Sequence, residues 1–249
     1  MKISPKDSRL FTAENAKMLK SRSKGYYSII LHLSPHRENS YHIDLCPFST
    51  QECREHCLNS SGFSEMFPNI LQVRKKKTDR FLFGKSAFVL SMVQEIMYYE
   101  RRAERMGLQL CVRLNGTSDI HWAKIRYRGK NIFQWLPHIQ FYDYSKSPFI
   151  ARNSLGISNY DITFSWSGEN ADMCEAMLEE GFNIAVPFSH ITKYKALPEE
   201  FMDYPVIDGD INDLRFLDQR GVVVGLRVKG RKQRKIKESN FLVQIERRY

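Results

Sequence analysis

Leu108-Gln-Leu-Cys-Val-Arg-Leu114 runs directly into Asn115-Gly-Thr-Ser-Asp119. An apolar run of strand length that closes on small and polar residues reads as a buried strand followed by a loop. The arrangement recurs down the chain. Ile139-Gln-Phe-Tyr-Asp-Tyr144 leads into Ser145-Lys-Ser-Pro148, Asp161-Ile-Thr-Phe164 into Ser165-Trp-Ser-Gly168, and Asn183-Ile-Ala-Val-Pro-Phe188 into Ser189-His190. Tyr204-Pro-Val-Ile207 leads into Asp208-Gly-Asp210, and Gly221-Val-Val-Val-Gly-Leu-Arg-Val228 into Lys229-Gly230. Helical stretches lie between them, the clearest being Ala171 to Glu180 with Gly181 behind it. Strand, polar loop, helix, strand is the signature of a parallel sheet. With Tyr26 to Leu33 added, seven strands are expected. The fold class is α/β: a complete or partial (β/α) barrel of parallel strands, with an irregular cysteine-bearing insertion after the first strand. An open doubly wound sheet is the competing architecture, and both put chemistry on the loops that follow the strands.

Upstream of these strands the pattern is helical. Val89, Val93, Ile96, Tyr99, Ala103 and Met106 recur at three- and four-residue steps, which predicts a helix from Ser86 to Met106 stopped by Gly107. A second helix is expected from Ile70 to Thr78. A third runs from Thr12 to Lys20, with Thr12 as N-cap, Glu14 in the first turn and Gly25 closing the segment. Residues 1–230 read as one domain with a metal-binding loop at 38–62. Residues 231–249 read as a basic, peripheral C-terminal extension.

Cys46, Cys53 and Cys57 stand in that loop with six and then three residues between them. Three thiols within twelve residues can converge on one centre, and thiolates favour soft metals. A 4Fe-4S cluster is usually held by four thiolates, so three would leave one iron open to substrate or cofactor. The neighbouring Arg54 and His56 would favour ionised thiols. The alternative is structural zinc, with His42 or His56 as fourth ligand. Cys111, inside an apolar strand, and Cys174, with Met177 and Leu178 on a helix face, read as core residues.

The chain has 249 residues, enough for a core that needs no disulfide staple. Clustered thiols without an evident export signal point to a reducing compartment, so the cytoplasm is expected. No apolar run approaches the roughly 18 residues of a membrane span, and no membrane partner is expected. Net charge is +10, with a pI near 9.4. The excess is gathered at Arg74-Lys-Lys-Lys77 and between Lys229 and Lys237. These blocks are either solvated faces or contacts for phosphates of nucleic acid or of a nucleotide.

Several strand ends carry candidate site residues. Arg113, Asn115 and Asp119 follow one strand; Arg113 inside an apolar run is costly unless paired, which suits it to an anion. Asn115 and Asp119 could hydrogen-bond a polar ligand, or could merely shape a turn and cap a helix. Lys146, after the strand that holds Asp143, could offer a cation to phosphate or carboxylate. These four are the candidate catalytic residues. Ser165, Asp208, Asp210 and Lys229 end other strands and are candidate cofactor contacts, although Asp210 also suits a helix N-cap. The substrate expected is a small molecule or nucleotide.

Longer strings carry a resemblance. Leu45-Cys-Pro-Phe-Ser49, Cys53, Cys57-Leu-Asn-Ser-Ser-Gly62, Arg113-Leu-Asn-Gly-Thr-Ser-Asp-Ile120 and Phe141-Tyr-Asp-Tyr-Ser-Lys146 are similar to the phage gene 88 protein family. So are Thr163-Phe-Ser165, Val206-Ile-Asp-Gly-Asp210, Asp213-Leu-Arg-Phe-Leu-Asp218, Gly225-Leu226 and Lys229-Gly230. The resemblance spans residues 15 to 230, approximately. It implies an origin on a phage or mobile element, and so the cytoplasm of a host cell. The three cysteines also resemble the radical S-adenosylmethionine theme, a three-thiolate cluster at a barrel mouth. That likeness would add S-adenosylmethionine as a cofactor, although the spacing here differs from that superfamily's three-then-two pattern.

Overall fold

The computed structural model describes residues 9–13, 16–55, 57, 67–189, 196–228 and 239–245. A short edge strand β1 (Phe11–Thr12) pairs antiparallel with β2 (Tyr26–Leu31), and α1 (Ala16–Arg22) lies between them in sequence. After the cysteine loop, with its one-turn α2 (Gln51–Glu55), come two long helices, α3 (Pro68–Phe83) and α4 (Lys85–Glu104). Then follow β3 (Gln109–Arg113), α5 (Ile132–Trp135), β4 (Gln140–Ser145), α6 (Pro148–Ser154), β5 (Tyr160–Ser165), α7 (Ala171–Glu179) and β6 (Ile184–Ser189). The chain ends with β7 (Glu200–Phe201), β8 (Tyr204–Asp208), β9 (Val223–Arg227) and β10 (Val243–Gln244).

These strands form one ten-stranded sheet in the order β1-β2-β3-β4-β5-β6-β9-β8-β7, with β10 added against β6. From β2 to β6 and on through β9 to β8 every pairing is parallel. Strands β2 to β6 are neighbours in sequence order, without the central reversal that marks a doubly wound sheet. Parallel crossovers of one hand then put the helices on one face. The core agrees: Tyr27, Ile29 and Leu31, Val112, Phe141, Ile162, Phe164 and Val186 pack with Phe88, Val89, Met92 and Ile96 of α4 and with Met177 and Leu178 of α7. Alternate residues point to the other face, where Cys111 and Tyr142 meet Leu214 and Phe216 of the loop after β8. The sheet path runs from β1 to β7 and does not close on itself, so these strands do not make a complete barrel.

Local chemistry explains the boundaries. Ser147 caps α6 by accepting from Ile150 N, and Pro148 at the first helical position loses nothing, because its missing N–H would be unpaired there. Asn131 and Gln134 close a reciprocal capping box on α5. Six buried side chains, from Phe88 to Ala103, form the stripe that α4 lays on the sheet.

Four expectations are corrected. Thr12 caps no helix: it pairs with Ile30 in β1, because the edge of β2 offers ladder hydrogen bonds that a local helix start cannot match. Among the described residues ten strands are present rather than seven, the additions being two-residue strands too short for periodicity to reveal. Asp210 starts no helix; its carboxylate accepts from Arg227 N at 3.0 Å. The C-terminal extension is not peripheral over its described part, because Val243 and Gln244 pair with Phe188 and Ser189 and Leu242 is buried. Strand β5 pairs with β6 only at Ile184 and Ala185, and β10 takes the edge beyond. Among the described residues, no helix is long and apolar enough to cross a membrane.

Candidate functional site

A cavity of about 280 Å³ opens at the carboxyl ends of the parallel strands. The loop after β2 supplies His36, Cys46, Ser49, Cys53 and Cys57 to its wall. This loop is irregular yet heavily tied. The Asn39 side chain accepts from Tyr41 N and Ile43 N and donates to Ile43 O. Asp44 accepts from Cys46 N at 2.8 Å, and Ser49 Oγ donates to Cys46 O at 2.7 Å. Thr50 Oγ1 accepts from Cys53 N and donates to Ser167 O, which fastens the first turn of α2 to the end of β5. Cys57 N closes the turn behind α2 on Arg54 O. All three cysteines therefore line one wall, although ten residues of chain lie between the first and the last.

Charge surrounds them. The Cys46 thiol donates to Thr117 O at 3.6 Å, and burial pushes its pKa up to about 12. Burial works against the charge on Lys146, but Cys53, Asp119 and Cys46 outweigh it and its pKa is raised; Cys53 also hydrogen-bonds the amine. Arg74, from α3, sits in the field of Cys57 and Glu38. Two cations of the fold thus flank the three sulfurs.

Of the other residues singled out in the sequence, Arg113, Asn115, Asp119, Lys146, Ser165 and Asp210 line the same cavity. Their bonds differ. Arg113 lies over the Tyr144 ring at 4.4 Å and is paired with Asp213 at 3.1 Å; burial opposes its charge and Asp213 more than restores it. Asn115 organises its loop: its Oδ1 accepts from Ser118 Oγ, Ile120 N and Trp122 Nε1, and its Nδ2 donates to Ile120 O. The turn carries Gly116 because a Cβ there would stand 2.6 Å from Leu31 O. Asp119 joins two strand ends, accepting from Ser145 Oγ at 2.6 Å and Lys146 N at 2.9 Å. Ser165 O accepts from Asn170. Asp208 stands outside the wall and holds Arg227 at 2.7 Å. Lys229 and His56 lie outside the described residues, and His42 is exposed and away from the cavity. Cys111 and Cys174 are fully buried core residues.

Sequence reasoning missed His36, Tyr144, Trp166, Arg227, Phe241 and Leu242, all in the wall. Arg227 carried the same signal as Arg113, a charge at the end of an apolar strand. Phe241 and Leu242 gave only an apolar island in a basic tail. They are placed by Glu52, which accepts from Ser239 Oγ and Phe241 N, and by Trp166 Nε1, which donates to Asn240 O.

The Arg74–Lys77 block is largely spent within the fold. Lys75 reaches Ser40 Oγ and Asp79, and Lys77 donates to Leu10 O at 2.7 Å, with burial lowering its pKa to about 8. The block between Lys229 and Lys237 lies outside the described residues.

Fold and cavity together define an α/β protein with a largely parallel open sheet and a thiol-lined pocket at the strand carboxyl ends. Within that class, the chain belongs to the Gene product 88 family, whose model matches residues 9–244. No curated protein and no solved structure matches it.

Proposed function

We propose that Cys46, Cys53 and Cys57 hold an iron–sulfur cluster in an open, partial barrel, and that the cavity beside it receives the molecule on which the protein acts. The observation that carries this reading is the convergence of three separate thiols on one cavity wall, flanked by Lys146 and Arg74. The donor set fits the group: three soft ligands would become anionic on binding iron, and two cations of the fold would offset that charge. Zinc would need sulfurs about 2.3 Å from a single ion, hence close to one another. Among the described residues, no three His, Cys, Asp or Glu side chains are gathered to hold one ion.

When bound, a cluster with three protein thiolates supplies Lewis-acid activation or one-electron reduction at its open iron, and S-adenosylmethionine is one candidate to occupy that position. The chain's own residues shape the rest. Lys146 holds positive charge against the sulfurs, Asp119 fixes the backbone that carries Lys146, and Phe241 and Leu242 add apolar surface to the wall. Anaerobic reconstitution with iron and sulfide tests the reading. A brown protein with broad visible absorbance is expected, lost in a Cys46→Ala, Cys53→Ala or Cys57→Ala variant. A colourless protein carrying stoichiometric zinc would end it.

A further inference from the structure

Two guanidinium groups of the same cavity wall each keep a donor that no described residue accepts from. Among the described residues, Arg113 Nε and Arg227 Nε are buried without a hydrogen-bond partner. Both residues are ion-paired through Nη1, Arg113 to Asp213 at 3.1 Å and Arg227 to Asp208 at 2.7 Å and Asp210 at 3.5 Å. One short peptide, residues 208–213, therefore supplies every one of these carboxylates and holds both arginines by one nitrogen. A buried donor without an acceptor is destabilising, and the Nε side of a guanidinium is one that an oxyanion can grip. The wall also has an apolar part, made by Trp166, Pro187, Leu226, Phe241 and Leu242.

We propose that the cavity binds a small organic anion, a carboxylate or phosphate monoester, with its head on the free Nε groups of Arg227 and Arg113 and its apolar portion against Trp166, Phe241 and Leu242. This assigns a ligand class to the site described above and in that sense rests on that reading. The geometry needs no metal, however, so the two can fail separately.

The test uses the full chain carrying Cys46→Ser, Cys53→Ser and Cys57→Ser, in which no cluster contributes. Its tryptophan fluorescence and heat of binding are followed on addition of phenyl phosphate, phenylacetate, inorganic phosphate and benzyl alcohol. One of the two organic anions should bind saturably at one site, about tenfold or more tighter than inorganic phosphate or benzyl alcohol, and which one does so identifies the head group. Arg227→Gln should weaken that binding about tenfold or more. If this variant does not fold by circular dichroism, Arg227→Lys, which keeps the charge and loses the Nε donor, takes its place and should weaken binding in the same direction. Absence of saturation by either organic anion, equal binding of benzyl alcohol, or unchanged affinity in the folded Arg227 variant would overturn the proposal. Anion binding in a protein that never takes up iron would leave this inference standing and remove only the cluster.

Discussion

Asp143 is fully buried in β4, where its carboxylate accepts from Asn115 N at 2.6 Å and Tyr160 Oη at 3.0 Å. Burial raises its pKa from 3.8 to about 7. Between those values the folded chain holds a proton that the unfolded chain releases. This contribution to stability therefore falls as pH rises through that window and levels off above it. At 1.36 kcal/mol per unit the effect is roughly 4 kcal/mol at most. Asp143→Asn should fold and lose this dependence. The difference in unfolding free energy between variant and parent should then drift in the variant's favour from about pH 4 to about pH 8 by up to that amount. A difference that stays flat across pH would refute the assignment. Lys146 makes a second case at this scale. Lys146→Met keeps most of its bulk and removes the cation beside Cys53 and Cys46. In protein reconstituted with iron and sulfide, the iron should then pass to a chelator about tenfold faster than from the parent, while the metal-free protein melts no lower. Arg113 shows how much of such a residue is legible beforehand: its cost in an apolar strand announced a partner, but Asp213, one hundred residues away, could not be named from sequence.

Among the elements, the long helix α4 and strands β2 to β6 were readable because periodicity accumulates over many residues. The two-residue strands β1, β7 and β10 were not, since so short a pattern carries no period and forms only where a partner edge is free. The last of these matters most. Strand β10 and the segment before it cross from Glu52 to β6, and Gly168 makes room for them with a φ of +91°. A Cβ at Gly168 would lie 2.7 Å from Phe241 N. Gly168→Ala should therefore free residues 239–245 from the cavity wall at a cost of about 1–3 kcal/mol. Hydrogen exchange would show it: amides of that segment should lose protection in the variant while those of β2 to β5 keep theirs. Equal protection in the two proteins would mean that the segment tolerates the methyl group.

For the molecule as a whole, the succession of strands, each ending in polar residues, was enough to predict a largely parallel α/β sheet with polar loops at the carboxyl ends. That follows from the chain alone, because burial on both faces demands near-continuous apolar runs and the loops must carry the polar groups. The three cysteines of the loop after β2 were equally visible, since thiols at short spacing need no distant partner to be noticed. What only the tertiary structure decided is everything that depends on residues far apart in sequence: that the sheet stays open, that three separated cysteines share a wall with Lys146, that the loop of residues 208–213 grips arginines from β3 and β9, and that residues 241 and 242 join the same wall. The physical reason is that strand order and loop closure are set by the packing of whole faces. A single stretch of sequence records only its own preference to be buried, and not what it will be buried against.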